Sequence, residues 1–375
     1  MTEEPDADPS WRGRVRRGLA AWYARGHRDL PWRRDRDPYR ILVSETMLVQ
    51  TTVAAAAPYF ERFLARFPTV EALAGAAEAD VLKAWEGLGY YRRARGLHEA
   101  ARAIARDHGG LVPDDPASLR ALPGVGRYIA GAVLSFAFDQ PAAIVEANTQ
   151  RVLARLLAWD EDIAKSISQK RLWQASERLV PEVGAGDFNQ ALMELGATTC
   201  TPRDPSCLIC PIAAECRARA LGLQDRLPLK APKAPPLEVV EACALVRRDG
   251  RLLVVQRGPV GLWAGFWEFP TVHVSGADPA GRAPGRAEGL AEGVGRLTGV
   301  QVAEAGLAHS VKFGVTKHRV ILNAYYTTEL DGCSIPISGY NDAEFVSSDE
   351  IAGLVMGAGV RKVARWAVAN VLGDA

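Results

Sequence analysis

Lysine is scarce in a chain that is rich in arginine. The first lysine of these 375 residues is Lys83 and the next is Lys165, so the stretch between them offers no side-chain amine for Schiff-base catalysis. Long apolar runs are missing as well. The longest, Ile129 to Phe138, falls well short of the ~20 residues that span a bilayer. The first thirty residues interleave Glu3, Glu4, Asp6 and Asp8 with Arg12, Arg14, Arg16 and Arg17 and contain no apolar targeting segment. These absences predict a soluble, cytoplasmic protein with no membrane partner. An excess of one charge is also lacking: 45 Lys and Arg face 44 Asp and Glu, for a net charge of +1. Any surface for a polyanion must then come from local segregation of charge. Cysteine is limited to six residues, which a reducing compartment would keep out of disulfides.

What is present is ordinary globular material. At about 150 residues per domain the length predicts two or three domains, and a 48% hydrophobic fraction is enough to fill their cores. From Trp11 to Leu223 apolar residues recur at three- and four-residue spacing, predicting helices over 53–66, 78–85, 94–107, 127–138 and 149–158. Breakers such as Gly87-Leu88-Gly89, Gly109-Gly110 and Pro123-Gly124 separate them. A proline-rich stretch within 224–237 reads as a linker. Beyond it the period changes. Val239–Val246 and Arg251–Gln256 flank Asp249-Gly250, a hairpin signal. Residues 319–328 read as a further strand, 361–371 as a closing helix, and 275–290 as loop. Cys243 and Cys333 stand alone and read as small buried hydrophobes.

Four cysteines, Cys200, Cys207, Cys210 and Cys216, crowd onto one segment with spacing C-x6-C-x2-C-x5-C. Four thiolates on one loop can close around a zinc ion or a [4Fe–4S] cluster. Structural zinc sites pair two tight knuckles, whereas only Cys207 and Cys210 form one here, so the spacing favours the cluster. Arg203, Arg217 and Arg219 lie on the same segment. A loop stapled by the cluster could present those cations to phosphates; a plainly solvated charged loop is the alternative.

Leu122-Pro123-Gly124-Val125-Gly126-Arg127 lies between two helical segments. Glycines permit a tight turn, and the free N–H groups of the following helix suit a phosphate. With Glu146 and the cysteines that follow, this segment resembles the helix-hairpin-helix base-excision glycosylases that carry an iron–sulfur loop. Leu30-Pro31-Trp32-Arg33, Ser44-Glu45-Thr46-Met47-Leu48-Val49-Gln50-Thr51 and Gly87-Leu88-Gly89-Tyr90-Tyr91 closely resemble adenine DNA glycosylases of the MutY type. The close match covers roughly residues 28–222.

The resemblance implies a two-domain protein. An all-α helix-hairpin-helix glycosylase domain (11–223, hairpin 122–127, [4Fe–4S] loop 200–216) would precede the linker 224–237 and an α+β Nudix-like domain, 238–375. It implies a monofunctional glycosylase, a monomer, that removes adenine opposite 8-oxoguanine or guanine in duplex DNA. Breaking the C1′–N9 bond needs a proton for the leaving base and an anion beside the developing sugar cation, as in a glycosidase. Glu45 would be the acid, Glu146 the anion and Tyr128 an assisting hydroxyl. From its neighbours alone, Ser44 reads as an N-cap, with Glu45 at a helix start. Val145-Glu146-Ala147-Asn148 departs from the family's Asp-Gly-Asn pattern, and a carboxylate capping the next helix is the alternative reading of Glu146.

Extruding a paired base needs side chains that fill the gap. Gln50, Leu88 and Tyr90 match family positions that enter the stack, Arg33 matches one lining the adenine pocket, and Gly124 and Gly126 grip the backbone. Val49 departs from a glutamine common at its position. In the C-terminal half, 285–293 lacks the paired acids that hold Mg²⁺ in Nudix hydrolases, which speaks against pyrophosphate hydrolysis. His318, in Thr316-Lys317-His318, would read the 8-oxoguanine. Two rivals remain: an endonuclease III-like glycosylase/lyase acting on oxidised pyrimidines or T:G mismatches, and a lesion-binding protein with impaired catalysis.

Overall fold

Short polar side chains start the helices of the N-terminal half. Asp8, Asp37, Thr52, Thr69 and Asp115 each accept a hydrogen bond from a backbone N–H of the first turn they precede. Proline takes one of the first two helical positions after Asp8, Asp37 and Asp115, where its missing N–H costs nothing. The helices of this half include Val53–Arg66, Glu78–Ala84, Arg92–Asp107, Arg127–Phe138 and Ala147–Leu157, all close to the expected spans.

The structure is a computed structural model and describes residues 4–232, 234–276, 289–303, 306–331 and 340–373. Residues 277–288 and Cys333, on which expectations of a loop and a buried thiol fall, lie outside the described residues. The chain divides into two units, Met1–Val81 with Arg92–Pro232, and Leu82–Tyr91 with Lys233–Ala375.

In the first unit, one core gathers Trp11, Val15 and Leu19 of helix Pro9–Arg25 with Val152, Leu153 and Leu156 of Ala147–Leu157 and Phe188, Leu192 and Leu195 of Ala185–Thr198. The helical hairpin joins Pro116–Ala121 to Arg127–Phe138. Gly124 turns it at φ +74° and packs so tightly on Gly96 that an added Cβ would stand 3.0 Å from the Gly96 Cα. A side chain there would be both strained and crowded. Gly126 is different: its φ of −83° suits any residue, and a Cβ would meet nothing within 4 Å. The start of the linker is tied down within this unit, with Ile163 N donating to Leu229 O at 3.0 Å and Ala231 N to Asp162 Oδ2 at 3.1 Å.

The second unit is built on a mixed sheet. Strand β1 (Leu237–Arg248) turns through Asp249-Gly250 into β2 (Arg251–Arg257). Both turn residues have positive φ, 48° and 73°, as the expected two-residue hairpin requires. Further strands are β3 (Trp267–Glu268), β4 (Thr271–Gly276), β5 (Gln301–Val302), β6 (Gly306–Val315), β7 (His318–Asp331) and β8 (Tyr340–Val346). β1 runs parallel to β7 over 11 residue pairs, from Leu237↔His318 to Arg247↔Thr328. Alternation along β1 sends Cys243 and Leu245 to one face, with Val363, Ala364 and Ala367 of helix Ala358–Ala367. Ala242, Ala244 and Val246 go to the other, with Leu290 and Val294 of helix Leu290–Thr298. A sheet buried on both faces explains the nearly continuous apolar run of β1.

Candidate active site

Glu45 does not stand at a helix start. Its helix runs Pro38–Leu48 and begins at the Asp37 cap, whose side chain accepts from Tyr39 and Arg40 N–H. Asp followed by Pro is the stronger start, so Ser44 falls in the interior, where its hydroxyl donates to Ile41 O at 2.9 Å. Glu45 thereby sits in the last turn, at the end of the helix where the dipole disfavours negative charge. Arg93 secures that end: its guanidinium donates to Met47 O at 2.8 Å, Thr46 O at 3.1 Å, Val49 O, and Thr51 Oγ1 at 3.1 Å. The chain then bends at Gln50, φ +60°.

A cleft of about 1320 Å³ opens here within the first unit, lined by Arg33, Glu45, Gln50, Gly124, Gly126, Tyr128 and Glu146 among others. Seven of the residues singled out from the sequence therefore share one cavity. The Glu45 carboxyl is only 2% exposed. Burial pushes its pKa up to about 7; the hydrogen bond from Tyr128 opposes the rise and the charge of Glu146 adds to it. Burial holds the Tyr128 hydroxyl well above its ordinary value, so it remains a donor.

Glu146 is both a cap and a wall of the cleft. It precedes helix Ala147–Leu157 and accepts from Asn148 N at 2.8 Å on Oε2 and from Thr149 N at 2.9 Å on Oε1. Thr149 closes the box by accepting from Glu146 N at 2.7 Å. Burial raises the Glu146 pKa, while the two N–H groups and Arg151 pull the other way. Arg151 also donates to Asn148 Oδ1 at 2.8 Å and to Cys200 O at 2.7 Å, linking the cap to the cysteine loop.

Reasoning from sequence missed Glu194. It is 2% exposed and receives Arg28 at 2.7 and 2.8 Å and Arg33 at 2.9 Å. The two guanidiniums hold its carboxyl below the ordinary range against the effect of burial. An acid among apolar residues of a helix was the available signal. Trp32 packs edge-on against Phe60, 5.5 Å between ring centres, as a core residue. Leu88, Tyr90 and His318 belong to the second unit. Leu88 is buried, Tyr90 is exposed at φ +49°, and His318 is buried at the start of β7 behind the Thr316-Lys317 turn.

The four clustered cysteines are free and half-buried. Cys210 feels the charges of Cys200, Cys216 and Cys207, and burial pushes its thiol up to about 11. Arg155 Nη1 lies 3.2 Å from Cys200 Sγ. Among the described residues no three Cys, His, Asp or Glu side chains gather closely enough for a single metal ion. The influence of Cys200, Cys216 and Cys207 on Cys210 puts the four thiols of this loop in one electrostatic environment.

Residues 43–178 match the HhH-GPD superfamily of base excision DNA repair proteins, and residues 242–366 match the NUDIX domain. Over 250 residues the chain is 34% identical to the adenine DNA glycosylase of Buchnera aphidicola subsp. Schizaphis graminum, covering 66% of this chain and 72% of that protein. The chain belongs to the adenine DNA glycosylase family. The rat adenine DNA glycosylase is 39% identical over 319 residues, 71% of this chain, and the chain spans 61% of that relative's length. A thermostable thymine-DNA glycosylase of known structure is 32% identical, with a TM-score of 0.50 over 56% of this chain and 98% of its own. Membership of the adenine DNA glycosylase family gives a helix-hairpin-helix half, containing Glu45, Gly124, Tyr128 and Glu146, and a Nudix-like half, containing His318.

Proposed function

We propose that the chain is a monofunctional DNA glycosylase that hydrolyses adenine from duplex DNA where it is mispaired with 8-oxoguanine or guanine. The observation that carries this reading is a single cleft holding two carboxyl groups in different surroundings. Glu45 has a pKa of about 7 and the Tyr128 hydroxyl as its partner. The two oxygens of Glu146 each accept a backbone N–H that favours its charged form against the effect of burial. Pairs of carboxyls set apart in this way divide acid and anion work. Glu45 delivers its proton to the adenine ring, and the C1′–N9 bond breaks with its electron pair leaving on the base. Glu146 lies against the sugar cation. A water then attacks C1′ and passes its proton to the Glu45 carboxylate, restoring the acid. Tyr128 fixes the Glu45 rotamer, Arg33 and Gln50 line the pocket, and Gly124 and Gly126 present backbone N–H groups to a phosphate.

In the second unit, Leu88 and Tyr90 enter the stack and His318 faces the 8-oxoguanine. Cys200, Cys207, Cys210 and Cys216 hold a [4Fe–4S] cluster that fixes the arginine-bearing loop and takes no part in bond breaking. Among the described residues no helix is long and apolar enough to cross a membrane. The chain acts as a monomer on DNA in the cytoplasm.

Single-turnover incubation with an 8-oxoguanine:adenine duplex tests this, with release of free adenine expected. Tight binding without release would support a lesion binder. The likeness to the thymine-DNA glycosylase keeps a T:G substrate as the second reading. Borohydride trapping separates lyase from hydrolase: with no lysine between Lys83 and Lys165, a covalent adduct is not expected.

A further inference from the structure

We propose that Glu86 and Arg361 are positioning residues whose ion pair fixes the loop carrying Leu88 and Tyr90, so that extrusion of the target base depends on the C-terminal helix Ala358–Ala367. The inference rests on the reading that Leu88 and Tyr90 enter the base stack. Within the second unit, Arg361 donates to Glu86 Oε1 at 2.5 Å and Oε2 at 3.1 Å. The same guanidinium reaches Ile351 O at 2.8 Å, and Leu354 O. Lys83 completes the cluster, donating to Glu86 Oε2 at 3.0 Å, Ala352 O at 2.6 Å and Leu354 O at 3.0 Å. Two cations thus cap the carbonyl end of helix Ser348–Gly353, and Glu86 is the anion placed between them. The pair is largely withdrawn from solvent, with side chains 10% and 13% exposed.

The loop itself is stiff and strained. Gly87, Gly89 and Tyr90 have φ of +107°, +72° and +49°. Trp85 Nε1 donates to Gly89 O at 3.1 Å and Leu88 N to Trp85 O at 3.1 Å, while the Tyr91 hydroxyl accepts from Gly87 N at 3.3 Å. The Tyr91 ring also meets Phe266 edge-on at 4.6 Å. A left-handed, exposed tyrosine persists only where its surroundings over-determine it. A wedge has to push against stacked bases, and a loop free to recoil would give up that work as motion. The anchor beneath Glu86 removes that freedom.

The test uses the full chain and a duplex with 2-aminopurine as the target base opposite 8-oxoguanine, read by stopped-flow fluorescence beside a melting curve. Glu86→Gln and Arg361→Gln should each slow the fluorescence rise on the order of tenfold, and the double variant should be no slower than either single one. Arg361→Lys should recover part of the rate. Folded variants that extrude at the parent rate, or losses that add in the double variant, would overturn the assignment. A parent that raises the fluorescence but frees no adenine would refute the catalytic reading alone. The contrast between parent and Arg361→Gln would then still carry the anchor.

Discussion

Tyr128 donates its hydroxyl to Glu45 Oε2 at 2.5 Å, from a helix 83 residues further along the chain. That bond opposes the burial that lifts Glu45, and so tunes the pH at which the acid loses its proton.

If Glu45 is the proposed acid it must be protonated to act, and with its pKa at about 7 the single-turnover rate should fall as pH rises through neutrality. Tyr128→Phe removes the bond that lowers the pKa, so the falling limb should move to higher pH. Rate–pH profiles of the two proteins check this; superimposed limbs would remove Tyr128 from the tuning.

Stability should carry the same signature. A carboxyl whose folded pKa stands above its unfolded value of 4.5 keeps a proton in the fold that the unfolded chain has released. Its contribution is unimpaired below about 4.5 and is lost as pH rises through about 7. Glu45→Gln should therefore melt higher than the parent at pH near 8 and show no gain near pH 4. Thermal melts at the two pH values decide it, and the same variant should release no adenine.

Glu146→Asp should keep or raise the rate, since a shorter carboxylate retains both the charge and the cap. Glu146→Gln should abolish base release, and Glu146→Ala should in addition cost the helix about 1 kcal/mol for the lost cap. Adenine release by the Gln variant at the parent rate would exclude Glu146 from the chemistry.

Anaerobically purified protein should contain about four iron and four sulfide per chain, as one cube held by four cysteines requires. Cys207→Ser should lose that content and weaken duplex binding before it changes the pH profile of base release. Zinc in place of iron would overturn the cluster.

Much of the fold was legible in the sequence because the signals were local. The period of three and four placed Val53–Arg66 and Arg127–Phe138, and Asp249-Gly250 placed its hairpin. The start of the Glu45 helix was misjudged, since Ser44 is a good cap in isolation and only the competing Asp37-Pro38 shows which start prevails. The dual use of Glu146 was hidden for another reason. Capping is written in the next three residues, whereas lining a cleft depends on helices distant in the chain. Glu194 escaped because an acid among the apolar residues of its helix is a weak signal by itself, and its partners Arg28 and Arg33 lie 161 or more residues away.

The anchor under Tyr90 also sets a timetable for synthesis. Glu86 and Arg361 are 275 residues apart, so a ribosome delivers the second on the order of tens of seconds after the first. Through that interval the loop has the bonds within Trp85–Tyr91 but lacks the ion pair proposed to brace it. On the proposed reading, a nascent chain stopped short of Arg361 would hold its acids and its cysteines and still lack the support for the residues that enter the base stack.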